Sequence, residues 1–182
     1  MGAAMDEDPL IAFHAGRGTD RRGRRVADVL AFDDRRLEAV HDYIQWLFPL
    51  AERSAFNPDA PLLTREAAAR FAEDPVLRRS LLAALDRMLA FYGFARAGEA
   101  VADAPDLALR SERWLRPGDH NHLRLSRIVR CLAACGQPAL AASLRDRLVA
   151  LADAAPGRVT PATRAHWRAL PPAPGRGGDH DR

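Results

Sequence analysis

Lysine is missing from this chain: all 27 basic residues are arginine, set against 24 acidic ones, for a net charge of +3. The pattern reads as the coding bias of a GC-rich genome before it reads as design. The high pI follows from the guanidinium pKa rather than from a strongly cationic surface. Cysteine is nearly missing too. Cys131 and Cys135 stand four apart in an apolar run that reads as helix, a spacing unlike the CxxC pairs of zinc sites, so two buried free thiols in a reducing compartment are expected. No apolar run approaches the roughly 20 residues that cross a bilayer; the longest lies around YIQWLFPLA. MGAAMDEDPLIAF is acidic, and its apolar stretch is too short for a signal peptide. A cytoplasmic protein without a transmembrane segment is expected. Catalytic signatures are lacking as well: there is no GxSxG, no HExxH, no phosphate-binding glycine loop and no grouping of cysteine, histidine and acid. The expectation is a chain that is not an enzyme, with no cofactor and no metal.

What is present is the composition of a folded protein. Hydrophobic residues make up 48% of 182 and charged ones 28%, enough to bury one core and too apolar for a disordered chain. Residues 14–25, HAGRGTDRRGRR, combine three glycines with five arginines, so residues 1–25 are expected as a flexible or extended arm. From Pro171 the chain turns to PPAPGRGGDHDR, expected as a disordered tail over 171–182. A single working domain is expected over 26–170.

Punctuation and period inside that domain favour helices. Asp33 or Asp34 can cap a helix running through Phe48 to Pro49. Thr64 can cap a second to about Glu73, and Asp74-Pro75 opens a third with Leu77, Leu81, Leu85, Met88 and Tyr92 on one stripe before Gly93. A fourth starts near Asp119 or Asn121 and ends at Gly136, and a fifth follows Pro138. Short helices fit Arg24 to Ala31 and Pro161 to Ala169. No comparable run alternates with the period of a strand. The expected fold is all-α: a compact single-domain helical bundle of about five main helices.

The densest stretch is HDYIQWLFPL, His41 to Leu50. On a helical wheel Leu37, Val40, Ile44, Leu47 and Phe48 form one apolar face, which Tyr43 and Trp46 extend. His41 falls at the border of a narrow polar strip holding Asp42 and Gln45. A helix apolar on that many sides is central to its bundle, and its border groups must find partners or face a cleft. Asn57 and Asp59 bracket a proline and suit a turn. In the HNH run, His120, Asn121 and His122 are successive; Asp119 to Asn121 read as a helix cap, with one histidine packed against the first long helix, rather than as a metal site, since further ligands are lacking. Arg124, Arg127 and Arg130 recur every three residues. Such a stripe can grip phosphate or carboxylate, pair internally with Asp42 or Glu38, or lie in solvent.

The block LEAVHDYIQWLFPL followed by FNPDAPLLT resembles the signature of the opioid growth factor receptor family's conserved region. RRGRRVADVLAFDD, DPVLRRSLLAALDRMLAFYGF, and Trp114 with HNHLRLSRIVRCLAACG are similar to it as well, over about Asp20 to Leu151. The chain looks like a stand-alone, microbial-type member. The resemblance implies receptor-type binding: the animal receptor is described as binding an enkephalin peptide and restraining growth at the nucleus, and its repeat-bearing tail has no counterpart here. A non-enzymatic binding or scaffold module is expected, taking a peptide, a protein or a small anionic ligand, as a monomer or weak dimer. The alternative is nucleic-acid or phosphate-ligand binding through RRGRR and the arginine stripe, with an enzyme of unrecognised type behind it. Candidate ligand-binding residues are His41, Asp42, Tyr43, Gln45, Trp46, Asn57, His120, Asn121, Arg124 and Arg127. The surface expected to carry them is where the first long helix meets the fourth.

Overall fold

Ten helices and one two-stranded antiparallel hairpin make up residues 7–171, the part of the chain that this computed structural model describes. The fold is mostly helical, as expected, with a small sheet that was not. The chain divides into two compact units, residues 1–87 and 88–182. The expected tail lies outside the described residues except for Pro171.

The first unit opens with α1 (Pro9–His14), inside the segment expected as a flexible or extended arm. Asp8 caps it by accepting from the Leu10 N–H at 2.8 Å, Pro9 starts it, and Leu10, Ile11 and Phe13 are buried. Then come α2 (Val26–Leu30), α3 (Asp34–Ala39) and α4 (Ile44–Leu47). Asp33 caps α3 through the Arg36 N–H at 2.7 Å. Next are α5 (Arg65–Glu73) and the longest helix, α6 (Pro75–Tyr92). Thr64 caps α5 through the Ala67 N–H at 3.1 Å, and Asp74 accepts from the Val76 N–H at 2.8 Å, as their positions predicted. Arg87 donates to the Phe32 carbonyl at 2.7 Å and to Asp34 at 2.9 Å, tying α6 to the start of α3.

The helix expected from Asp33 through Phe48 does not form as one element. Val40 is extended (φ −96°, ψ 132°), and the chain regains helical geometry for only one turn, Ile44–Leu47. Two weak helix formers, Val40 and Asp42, sit at the break, and Asp42 gains charge-assisted bonds to Arg22 and Arg24 by leaving the helical path. The apolar residues stay inside all the same. Tyr43 is fully buried and donates to the Leu37 carbonyl at 2.9 Å, closing the break with a bond across it.

In the second unit, α6 ends at Gly93, whose φ of +92° suits glycine. The Trp114 indole N–H caps the Tyr92 carbonyl at 3.0 Å. The hairpin follows, β1 (Phe94–Ala97) and β2 (Ala100–Asp103), with Ala97 opposite Ala100 across a two-residue turn. Gly98 takes φ +63° there and no other residue of the turn has positive φ, the arrangement of a type II′ turn with glycine first. Only Phe94 and Val101 of the hairpin are buried. This corrects the all-α expectation: two four-residue strands are too short to leave a visible alternation, and the Gly-X turn was the available signal.

After α7 (Leu107–Ser111) come α8 (Asn121–Ala134), α9 (Pro138–Ala154) and α10 (Pro161–Ala169). Helix α9 is the hub: it packs against α8, β2 and α10. Its Leu140, Leu144 and Leu148 are buried, Ser143 accepts from the Val101 N–H at 2.9 Å, and Arg147 forks onto Asp103. Cys131 and Cys135 are buried free thiols 3.9 Å apart at their sulfurs, and burial first, then the bond to Cys135, raises the Cys131 pKa.

A Cβ added at Gly93 would lie 2.8 Å from the Leu107 Cα, and its backbone is left-handed. Gly93→Ala should therefore lower stability by about 2 to 4 kcal/mol. Urea denaturation checks this; a wild-type midpoint would show that α7 gives way freely.

Candidate functional site

Residues 20–24 form a tight turn built on one carboxylate. Asp20 Oδ1 accepts from the backbone N–H groups of Arg22 (2.8 Å) and Arg24 (3.0 Å), and Oδ2 takes the Arg24 Nε–H at 2.6 Å. Gly23 supplies the positive φ, +76°, and its N–H bonds to the Asp20 carbonyl at 2.9 Å. Arg24, held in this way and near the Phe32 ring, passes its Nη2 to Asp42 Oδ1 at 2.7 Å. Arg22 reaches the other oxygen of Asp42 through Nε at 3.0 Å. Arg21 pairs with Asp59 at 3.3 Å, linking the turn to the loop after α4.

Arg21, Arg22, Arg24, Asp42 and Asp59 line a cleft of about 300 Å³ together with Trp46 and Asn57. Burial pushes the Asp42 carboxyl up, but the bonds from Arg24 and Arg22 outweigh it and hold the group below its ordinary value. It stays a carboxylate. Arg24 is cationic for the complementary reason: burial works against the charge, and Asp42 and Asp20 more than restore it.

Trp46 is held from α1. His14 is buried, with Nε2 3.0 Å from the Trp46 carbonyl and Nδ1 3.0 Å from the Ser80 hydroxyl. The carbonyl can only accept, so Nε2 carries the proton and Nδ1 accepts from Ser80. Phe71 meets the ring edge-on at 4.8 Å, and Phe13 packs on Trp46 at 5.3 Å. Burial pushes the His14 pKa down to about 4, against a smaller upward pull from the Trp46 carbonyl.

Of the expected residues in the first unit, the structure brings Asp42, Trp46 and Asn57 to this cleft. Tyr43 and Gln45 are buried instead, and Gln45 Oε1 has no hydrogen-bond partner among the described residues. His41 is exposed rather than at the border of a buried helical face, because α3 has ended before it. The expectation named RRGRR only as an alternative contact for nucleic acid or phosphate, left Arg21, Arg22 and Arg24 out of the candidate residues, and missed Asp20. The available signal was an aspartate followed by a glycine-bearing arginine run, an Asx-turn pattern.

The second unit holds the other four. Asn121 is fully buried at the start of α8: its Nδ2 donates to Asp119 at 3.0 Å, and its Oδ1 accepts from the Tyr92 hydroxyl at 3.1 Å and from Arg124 Nη1 at 3.4 Å. Asp119 also accepts from the Asn121 backbone at 2.9 Å, the capping role expected of it. Arg124 is buried, Arg127 half-buried, and His120 exposed beside Asp119. His122 is buried, and the contacts it makes are within the second unit rather than those expected with the first long helix: it donates through Nε2 to the Trp114 carbonyl at 2.9 Å and meets Trp167 edge-on. Burial, ahead of the opposing pull of Trp114, lowers its pKa. Among the described residues no three His, Cys, Asp or Glu side chains gather as a metal set.

Residues 26–153 match the family described as "Opioid growth factor receptor (OGFr) conserved region". The chain belongs to this family. It is 39% identical over 103 residues to the opioid growth factor receptor of Rattus norvegicus, covering 55% of this chain and 17% of that one. To the Homo sapiens receptor it is 36% identical over 103 residues, 55% and 15% of the two chains. To opioid growth factor receptor-like protein 1 of Mus musculus it is 34% identical over 110 residues, 57% and 22%. The chain thus spans less than a quarter of the length of these curated relatives. No solved structure matches it. No helix among the described residues is long and apolar enough to cross a membrane. The OGFr region begins just after the arginine turn, so the cleft pairs family residues such as Asp42 and Trp46 with a turn that precedes them.

The buried His14 makes stability depend on pH. Its folded pKa of about 4 lies below the unfolded value of about 6.5, so the unfolded chain binds the extra proton. The contribution is complete above about pH 6.5 and declines as pH falls toward 4. Between pH 7 and 5 it should remove about 2 kcal/mol, before carboxylates such as Asp42 titrate. Chemical denaturation of wild type and His14→Gln at both pH values checks this: the variant should lose that share of the slope, and equal slopes would refute it.

Proposed function

We propose that the chain is a non-enzymatic binding module of the OGFr family, and that its first unit takes an acidic peptide segment in the cleft beside Trp46. The carrying observation is the set of arginines lining the cleft: Asp20 and Asp42 hold Arg24, Asp42 holds Arg22, and Asp59 pairs with Arg21. Prepositioned guanidiniums lose little entropy on binding and meet carboxylates with forked donors. The receptor names of the relatives agree with a binding role. Asn121, Arg124 and their neighbours are read as the organising start of α8 in the second unit.

Nucleic acid is the second reading, favoured by five arginines within residues 17–25. Salt separates the two, because a phosphate backbone releases counterions in proportion to its contacts. Fluorescence anisotropy with degenerate acidic peptides should show saturable binding that Arg22→Ala weakens by about tenfold, the worth of one charge-assisted bond. Equal binding of acidic and basic peptide pools would overturn the proposal. Tighter binding to duplex DNA with a steep salt slope would replace it with the second reading.

A further inference from the structure

The cleft has more donors than its resident carboxylates use. Among the described residues the Arg22 side chain commits only Nε, to Asp42, and leaves its outer nitrogens to solvent; its side chain is 74% exposed. Arg21 is held only by the 3.3 Å pair with Asp59, both ends of which are more than 60% exposed. Pairs so exposed are weak and exchangeable. The Asn57 backbone N–H takes Ser54 Oγ, whereas its carboxamide makes no hydrogen bond among the described residues. Three side chains with unspent N–H donors therefore face one cleft.

The charge balance says what they fit. Asp42 already sits on Arg22 and Arg24, and Asp59 on Arg21. A ligand carboxylate brings one charge and two oxygens, enough for Arg22 and Asn57 but leaving Arg21 with Asp59. A phosphomonoester brings close to two negative charges and three terminal oxygens, one for each of Arg21, Arg22 and Asn57. We infer that the cleft selects a phosphorylated side chain on its peptide ligand, with Asp59 displaced from Arg21 as the phosphoryl group enters. The inference rests on the peptide-binding reading of this cleft and narrows it. The Trp46 ring and the 300 Å³ of space suit the side chain that carries the phosphate.

The test uses the full chain and two small probes, phenyl phosphate and benzoate, followed by NMR on the Trp46 indole and arginine Nε–H signals. Degenerate peptides centred on phosphotyrosine, phosphoserine or glutamate form the second arm. Phenyl phosphate should bind at least roughly tenfold more tightly than benzoate, and more tightly as pH rises through the second phosphate pKa near 6. Arg21→Ala with Arg22→Ala should abolish the shifts while the melting transition stays cooperative and moves only slightly, since both pairs lost are largely exposed, and the paired lysine variants should restore part of the affinity. If glutamate peptides bind as well as phosphopeptides and still require Arg22, phosphate selectivity is wrong and the cleft reading survives. If neither binds, both are wrong. If an oligonucleotide outcompetes every phosphopeptide, the inference is overturned in favour of a nucleic-acid backbone.

Discussion

Asp20 is a carboxylate with no exposed side-chain surface, and the first unit's cleft depends on it. A buried charge is tolerable only when its lone pairs are used and a counter-charge is near. Two backbone N–H groups and the Arg24 guanidinium meet that condition, and in doing so they fix the path of residues 20–24. Order then passes outward. Arg24 orients Asp42, and Asp42 holds Arg22. Asp42 lies in the break between α3 and α4, so the network meets the chain where hydrophobic periodicity alone would have continued a helix.

The second unit is organised by apolar burial instead, with tryptophans that each carry one polar tether. Trp114 reaches the Tyr92 carbonyl, and Trp167 donates to Ser126 Oγ at 3.1 Å, while Ser126 donates back to the His122 carbonyl at 2.8 Å. Each indole is fully buried and its N–H is satisfied, which combines large burial with a fixed orientation. The start of α8 follows the same rule: Asn121 is buried with both ends of its amide bonded.

Local chemistry made much of this legible in the sequence. The caps at Thr64, Asp74 and Asp119 and the proline starts of α6, α9 and α10 depend on neighbours within a few residues, and each lies where its residue type places it. What the sequence hid depends on distant partners. His14 looked like part of a ragged arm because Ser80 and the Trp46 carbonyl, which bury it, are 66 and 32 residues away. His41 looked like the border of a core helix because the wheel assumed a continuous helix, whereas the chain turns extended at Val40. The cleft was half visible: Asp42, Trp46 and Asn57 stood out by type, whereas the arginines across from them read as an unstructured basic run.

The turn at residues 20–24 separates two duties that are usually mixed in one side chain. Its shape is held by Asp20 through main-chain N–H groups, which every amino acid except proline supplies. The side chains at positions 21 and 22 carry no share of that shape. They reach outward instead, to Asp59 and Asp42, so a substitution at either position changes what the cleft presents while the main-chain bonds of the turn stay in place.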